Sequence, residues 1–424
     1  MSEYSRRLVD AELDELVAEL PAIALEGPKG VGKTATAERR ANTILRLDEP
    51  AQRAIAEADP SQVLTGKPPL LLDEWQRVPA VWDAVRRAVD HDNAAGRFLL
   101  TGSASPATPP THSGAGRIVT LRMRPMALCE RGVGTPSVSL RELLNGDKPR
   151  ISGRTDVSLA DYVHEIVHSG FPAIRRLSGR ALRLQLDGYL RRIVDTDFQE
   201  QGHTVRRPEV LERWMAAYAA ATATTASFEA IREAATGGQG DKPSKTATQP
   251  WREILERLWI VDPVPAWLPS RNRLSRLSQT PKHHLADPAL AARALGLDAK
   301  GLLAGDSGNP RSPSEGMLLG HLFESLVTLG VRGFAQAAEA RVRHLRLQGG
   351  THEVDLIIER ADQRIVAIEI KLSGTVNKND VKHLLWLREK IGDDLLDAVV
   401  VHTGPQAYRR EDGIAVVPAA LLGA

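Results

Sequence analysis

Residues 27–34 read Gly-Pro-Lys-Gly-Val-Gly-Lys-Thr and follow the apolar run Ile23-Ala24-Leu25. The spacing G-x-x-x-x-G-K-[ST] constrains this chain more than any other feature, because it calls for a strand, a tight loop and a helix in that order. Glycines at 27, 30 and 32 let the backbone curl so that its N–H groups point inward at an anion. The helix-prone run 35–41 places a positive helix end at the same point. Gly27, Pro28, Lys29, Gly30, Val31 and Gly32 then form a phosphate cradle. Lys33 reaches the β- and γ-phosphate oxygens, and the Thr34 hydroxyl is a ligand for magnesium. ATP and Mg²⁺ are the cofactors to expect. A simple glycine turn is the alternative, but the strand before and the helical run after are the context the motif demands.

Three further segments fit around that loop. Leu70-Leu71-Leu72 ends in Asp73-Glu74. Asp73 is expected to hold Mg²⁺ through water or Thr34, and Glu74 to orient and activate the attacking water. The run 97–103 is a second apolar strand ending in Thr101-Gly102-Ser103. Ligands in open α/β sheets sit at the carboxyl ends of strands, so Thr101 or Ser103 is placed to hold the water or read the γ-phosphate. A strand-ending turn accounts for either residue equally well. Arg117 follows the Pro-, Gly-, Ser- and Thr-rich loop 105–115. It is a candidate to stabilise transition-state charge, from its own chain or from a neighbour in a homo-oligomer; a solvated surface arginine is the competing reading. With helical stretches at 51–58 and 81–90, strand and helix alternate over 20–125, which argues a parallel sheet covered on both faces.

The chain has 424 residues, enough for two or three domains. Its formal charge of +2 excludes a polycation, so contact with nucleic acid must come from local patches. Cys129 is the single cysteine, which excludes an intramolecular disulfide and a cysteine zinc site. Residues 1–20 are charged throughout and lack a signal-peptide core; Leu8, Leu13, Leu16, Val17 and Leu20 suggest an amphipathic helix. No run approaches the roughly 18 apolar residues that span a bilayer. A cytoplasmic location without membrane contact is expected.

Residues 131–157 are turn-rich and read as a linker. From 159 to 201 the pattern is helical, broken by Ser169-Gly170-Phe171-Pro172, with Arg175, Arg176, Arg180, Arg183, Arg191 and Arg192 as a basic group. Any one of them suits a solvated face; together they suit phosphates. Helices at 208–221, 227–235 and 251–259, with Val261-Asp262 turning outward, suggest a winged helix-turn-helix, or else a helical connector. Pro250 stands where the third helix should start. The segment 271–284 carries Arg271, Arg273, Arg276, Lys282, His283 and His284. Adjacent histidines on an extended segment point to opposite sides, which disfavours a metal site there.

The last hundred residues hold a second set of acids. A helix at 315–328 carries Glu324, strand 353–358 carries Asp355, and strand 365–371 carries Glu369 and Lys371. Residues i and i+2 of a strand share a face, so Glu369 and Lys371 project together and Asp355 can join them. Two carboxylates bind Mg²⁺, and a lysine beside them steadies a hydroxide or a phosphate. A helix at 380–390 follows. This arrangement resembles the core of the restriction-endonuclease-like fold, which some proteins use for cleavage and others only for binding.

As an ordered set, the motifs resemble the prokaryotic AAA-type ATPases that end in a domain of unknown function with a restriction-endonuclease-like C-terminus. The marks are Y-S-R-R at 4–7, the phosphate loop, L-L-L-D-E-W-Q, L-L-T-G-S, G-R-I with R-P-M-A-L-C-E, S-G-F-P, Y-L-R-R-I-V-D-T-D, H-L-A-D-P-A-L, E-V-D and A-I-E-I-K. The resemblance implies an α/β fold in parts. These are an AAA-type P-loop ATPase domain at 1–130, a linker at 131–157, a winged-helix-like middle at 158–300, and a restriction-endonuclease-like domain at 315–424. It implies ATP binding by Lys33 and Thr34, with Asp73 and Glu74 as the magnesium-linked acids. Three functions stay open: an ATPase controlling a DNA-facing C-terminal half, an ATP-gated metal-dependent nuclease, or a nucleotide switch that hydrolyses negligibly.

Overall fold

The computed structural model describes residues 4–103, 112–236, 242–268, 280–306 and 313–424. Most of the loop 105–115, part of the polar loop 236–245, and Arg271, Arg273 and Arg276 lie outside these residues. Five parallel strands open the chain: β1 (Ala22–Glu26), β2 (Thr43–Arg46), β3 (Leu70–Asp73), β4 (Phe98–Gly102) and β5 (Val119–Arg122). Their order is β2-β3-β4-β1-β5. Alternation sends Ala22, Ala24, Leu70, Leu72, Phe98 and Leu100 to one buried face and Ile23, Leu25, Leu71 and Leu99 to the other, as a sheet covered on both sides requires. Helices Pro50–Ala58 and Ala80–His91 stand where the sequence places them. Because β4 lies between β1 and β3, the ends of all three strands converge at one edge.

Residues 131–157 form more than the linker expected of them. Short strand β6 (Val138–Ser139) and helix Leu140–Asn145 precede β7 (Gly153–Arg154), and β7 joins the edge of the second sheet through β13 (Gln406–Arg409). β6 pairs with β15 (Leu422–Gly423) near the chain end. Strands this short carry little local signal; distant partners create them.

The middle is helical. Pro208–Ala220 and Phe228–Ala234 match the expected helices, but the third runs Lys245–Arg257 and encloses Pro250. The Ser244 hydroxyl accepts from Ala247 N and sets the start six residues early. Proline has a helix-compatible φ and forfeits one hydrogen bond; burial of Trp251, Ile254 and Leu255 offsets that loss.

Asp262 also differs from expectation, turning inward rather than out. Its carboxylate takes Arg122 Nη2 of β5 at 3.0 Å, Arg332 Nη2 of the long helix Pro313–Ala337 at 2.8 Å, and Arg124 Nε at 3.4 Å. Burial opposes the charge, but Arg122, Arg332 and Arg124 outweigh it and hold Asp262 well below the usual carboxylate range. One buried ion cluster therefore ties the parallel sheet, the middle and the C-terminal helix together.

The second sheet has eight strands in the order β7-β13-β14-β12-β11-β10-β9-β8. β8 is Ala266–Trp267 and β14 is Ala415–Pro418. Strands β9 (Arg341–Arg346), β10 (Glu353–Glu359) and β11 (Ile365–Lys371) form an antiparallel meander. Helix Lys382–Ile391 then crosses over to β12 (Leu395–His402), which pairs parallel to β11. The long helix buries Leu322, Phe323 and Leu326 with Ile358, Ile368 and Val401. Leu384 and Leu387 of the crossover helix pack with Ile357, Ala367 and Val400 in a separate cluster.

Candidate functional site

The phosphate loop has the backbone its glycines predict. A Cβ on Gly27 would lie 2.1 Å from the Met123 carbonyl oxygen, so no larger residue fits. Gly32, at φ 106°, precedes helix Lys33–Glu38 in the left-handed region that glycine tolerates. Lys33 is buried and its Nζ donates to the carbonyls of Gly27 (2.8 Å) and Pro28 (3.0 Å). Burial pushes its pKa down to about 8, against the pull of Glu74, Asp73 and Glu26.

Strand register brings the acids to this loop. Asp73 on β3 pairs with Thr101 on β4. Thr34 Oγ1 donates to Asp73 Oδ1 at 2.7 Å, and Thr101 Oγ1 donates to the same oxygen. Ser103 Oγ donates to Glu74 Oε1 at 2.9 Å. Glu74 itself sits at φ 56°, ψ 41°, a left-handed conformation that costs a non-glycine residue about 1–3 kcal/mol. Thr34, Asp73 and Thr101 thus form one hydrogen-bonded group at the strand ends, Ser103 and Glu74 a second beside it, and Lys33 bonds the loop carbonyls. Thr34 and Asp73 offer paired hard oxygen atoms, the donor chemistry that Mg²⁺ takes.

Arg117 stands apart from this set. Its Nε pairs with Asp90 Oδ1 at 2.7 Å on the helix Ala80–His91, and its side chain is 46% exposed.

Several residues at the loop came without a functional reading from sequence. Arg7 Nη1 donates to Val31 O at 2.8 Å, and its Nε pairs with Glu130 at 2.8 Å. Tyr4 OH bonds Asp10 and Thr36, and the Arg39 guanidinium lies 4.6 Å from the Tyr4 ring centroid. Tyr4, Thr36, Arg39, Pro172 and Arg176 line a cavity of about 660 Å³ against the phosphate-loop helix. The Y-S-R-R and S-G-F-P strings and the basic pair Arg175-Arg176 were the sequence signals for this wall, none of them read as part of a nucleotide pocket.

The helical middle grips the same loop. Lys29 Nζ pairs with Asp197 (2.6 Å) and Glu200 (2.8 Å), and Tyr189 OH donates to Lys29 O at 3.0 Å. Asp287 accepts from Ser169 Oγ (2.6 Å) and Gly170 N (2.7 Å), next to Pro172. Ser169 holds φ 68°, ψ 149°, a strained geometry for serine. Arg175 is paired with Glu165, while Arg176, Arg180, Arg183, Arg191 and Arg192 are exposed.

The second set of acids also converges. Glu324, Asp355, Glu369 and Lys371 line a cavity of about 430 Å³ with Lys382 and Arg346 at its wall. The β9–β10 ladder slips between Val354 and Ile357, and Asp355 Oδ2 accepts instead from Ile370 N at 2.9 Å. Lys371 Nζ donates to Glu369 Oε1 at 2.7 Å; the buried Glu369 Oε2 has no hydrogen-bond partner among the described residues. Burial pushes Glu324 and Glu369 up to about 8, with the Asp355 charge adding to it. Burial opposes the charge on Asp355 as well, but Lys282 and Lys371 hold it below its ordinary value.

Lys282 is the surprise. From sequence it was one of the basic residues of the segment 271–284, with no partner assigned; it is fully buried, with Nζ 2.8 Å from Glu324 Oε1 and 3.0 Å from Asp355 Oδ1. The flanking histidines do diverge: His283 contacts Tyr218 and Ala226, and His284 contacts Ser325.

Residues 19–131 match the family model described as an AAA domain. Residues 159–301 and 319–422 match two domains of unknown function, DUF8612 and DUF4143. The chain is similar to an uncharacterized protein of Mycobacterium tuberculosis (Rv2008c), 24% identical over 98% of this chain and 83% of that protein. An uncharacterized protein of Mycobacterium bovis (Mb2031c) matches with the same figures. Among solved structures, the Walker-type ATPase PABY2304 of Pyrococcus abyssi is 13% identical with a TM-score of 0.39, over 69% of this chain and 96% of that one. The ORC2 protein of Aeropyrum pernix, in ADPNP–ADP complexes, is 15% identical with a TM-score of 0.27, over 71% and 93%. The AAA-domain match and the site geometry support a P-loop ATPase. No helix among the described residues is long and apolar enough to cross a membrane.

Proposed function

We propose that the chain is a Mg²⁺-dependent ATP hydrolase whose nucleotide state is passed to a DNA-facing C-terminal half. The Thr34–Asp73–Thr101 group and the neighbouring Glu74–Ser103 pair, at the mouth of the phosphate loop, carry this reading. Lys33 and the loop N–H groups hold the β- and γ-phosphates, and the cavity walled by Tyr4 and Arg39 takes the nucleoside. Magnesium, when bound, neutralises phosphate charge, with Thr34 and Asp73 as its protein-side oxygens. Glu74 takes a proton from water as the water oxygen attacks the γ-phosphorus; the bond from that phosphorus to the bridging oxygen breaks, and ADP and phosphate result. Ser103 orients Glu74. Arg117 would have to leave Asp90 to act on a γ-phosphate, its own or that of a neighbour in a homo-oligomer. The Lys29 pairs with Asp197 and Glu200 are the route by which a moving loop would be felt in the helical middle.

Glu74→Gln tests the assignment. ATP binding should persist while kcat falls about 100-fold or more; Lys33→Ala should abolish binding. Unchanged turnover in both variants would remove the ATPase reading.

A second reading concerns the C-terminal cavity. The helix, three-stranded meander, crossover helix and parallel strand support a restriction-endonuclease-like core, with Asp355, Glu369 and Glu324 as carboxylates for a divalent ion and Lys371 beside them. The orphaned Glu369 Oε2 fits such an ion. Arg346, Lys371 and Lys382 suit a phosphodiester backbone. Cleavage of DNA that needs Mn²⁺ or Mg²⁺ and is lost in Asp355→Ala is the test.

A further inference from the structure

The C-terminal acids already hold a cation, and it comes from another part of the chain. We infer that Lys282 is an internal ammonium closing the divalent-metal site of Glu324 and Asp355, so that the site takes Lys282 or a metal ion but not both. This rests on the second reading above. Lys282 Nζ touches Glu324 Oε1 at 2.8 Å, Asp355 Oδ1 at 3.0 Å and approaches Glu353 Oε1 at 3.6 Å. Those oxygens belong to the long helix and to β10, the two elements a bridging ion would have to link. An ion on them competes for the same lone pairs, and two cations in one buried space repel.

The charge balance of the cavity points the same way. Four carboxyl groups (Glu324, Glu353, Asp355, Glu369), two of which (Glu324 and Glu369) burial holds toward the protonated form, face the fully buried Lys282 ammonium and the partly exposed Lys371. Burial lowers the pKa of His321 and His344, so neither supplies charge at neutral pH. Arg346 is paired with Glu353 toward the outside. Without Lys282, Asp355 and Glu324 would be buried acids lacking a direct cation partner, a state that proteins avoid unless a metal or proton fills it.

The lysine is also carried by an element separate from the strands and helix that carry the acids. Residues 282–286 pair with 260–264 in the helical middle: Lys282 N and O bond Val264, Asp262 N bonds His284 O, and Ala286 N bonds Ile260 O. The acids lie on the other side of the boundary. Release of the Lys282 ammonium by rotation of its side chain frees the acids for a metal, while Asp262 keeps the ladder tied to Arg332 of the long helix. The nuclease reading thereby acquires a closed state.

Mn²⁺ binding, followed by electron paramagnetic resonance on the full chain, tests this with Lys282→Met and Asp355→Asn. Lys282→Met should bind Mn²⁺ about tenfold more tightly than the unmodified protein, or better. Its thermal midpoint should be low in EDTA and rise with Mn²⁺, which loss of a purely structural lysine would not produce; adding Asp355→Asn should erase both effects. On the unmodified protein, acetylation mapped by mass spectrometry should find Lys282 protected in EDTA and reactive at saturating Mn²⁺. That arm needs no variant to fold. Equal Mn²⁺ affinity with and without Lys282, or Mn²⁺ bound with Lys282 still protected, overturns the inference and leaves the metal site standing. Absence of Mn²⁺ binding in every protein overturns both.

Discussion

Nucleotide affinity should fall as pH rises above about 8, because Lys33 loses its proton there in the free protein. Phosphate oxygens beside the ammonium restore its pKa, so binding draws a proton in from solution whenever the free lysine is neutral. At pH 9, one unit above that value, about a tenth of free Lys33 is charged, and affinity should drop about tenfold, or about 1.4 kcal/mol. A lysine at its ordinary pKa of 10.5 would weaken binding by only roughly 3% at the same pH. The phosphates do not mimic the result: with a second pKa of about 6 the terminal phosphate gains charge as pH rises, which would strengthen binding rather than weaken it. Isothermal titration of a non-hydrolysable ATP analogue at pH 7, 8 and 9, in buffers of different ionisation enthalpy, reads affinity and proton uptake together. Lys33→Arg supplies the control, because guanidinium stays charged throughout. Flat affinity and no proton uptake in the unmodified protein would refute the reasoning. The sign for folding is opposite to that of a lysine with a raised pKa. Lys33 has a folded value below its unfolded one, so its charge opposes folding at neutral pH, and the free protein gains stability from about pH 8 toward 10.5.

Two further perturbations probe the frame. Gly27→Ala drives a methyl into the Met123 carbonyl, so it should cost a few kcal/mol of stability and lose nucleotide binding, read by urea denaturation and analogue titration. Asp262→Asn leaves Arg122, Arg124 and Arg332 without their shared counter-charge and should cost about 3–5 kcal/mol in the same denaturation assay. Because the Asp262 pKa is depressed, its contribution is present above pH 4 and should fade as pH falls through the lowered value.

The nucleotide site was largely legible in the chain. Each residue there sits within a few positions of a strand end, and a strand end is written as an apolar run followed by small or acidic residues. Leu70-Leu71-Leu72-Asp73-Glu74 and Phe98-Leu99-Leu100-Thr101 needed only a parallel register to meet. The C-terminal acids were legible for the same reason, since Glu369 and Lys371 are fixed by a period of two on one strand. Arg117 carried two readings, because a loop residue has no periodicity to place it; the structure pairs its partly exposed side chain with Asp90, in keeping with the solvated surface arginine.

Local rules set the boundaries of β11 and the helices beside the phosphate loop, but they set no long-range partner. Strands β6 and β7 exist because β15 and β13 lie alongside. The helix through Pro250 holds because its next turn is buried. Asp262 was expected to turn outward and Lys282 had no partner assigned, since charged side chains are mostly exposed. Packing alone decided that three arginines surround the first and that two carboxylates receive the second. The phosphate loop follows from the sequence because its chemistry lies in eight consecutive residues. The contact of Lys282 with Glu324 and Asp355 follows only from the tertiary structure, because the lysine and the acids are separated by 42 and 73 positions and meet by burial of an apolar core.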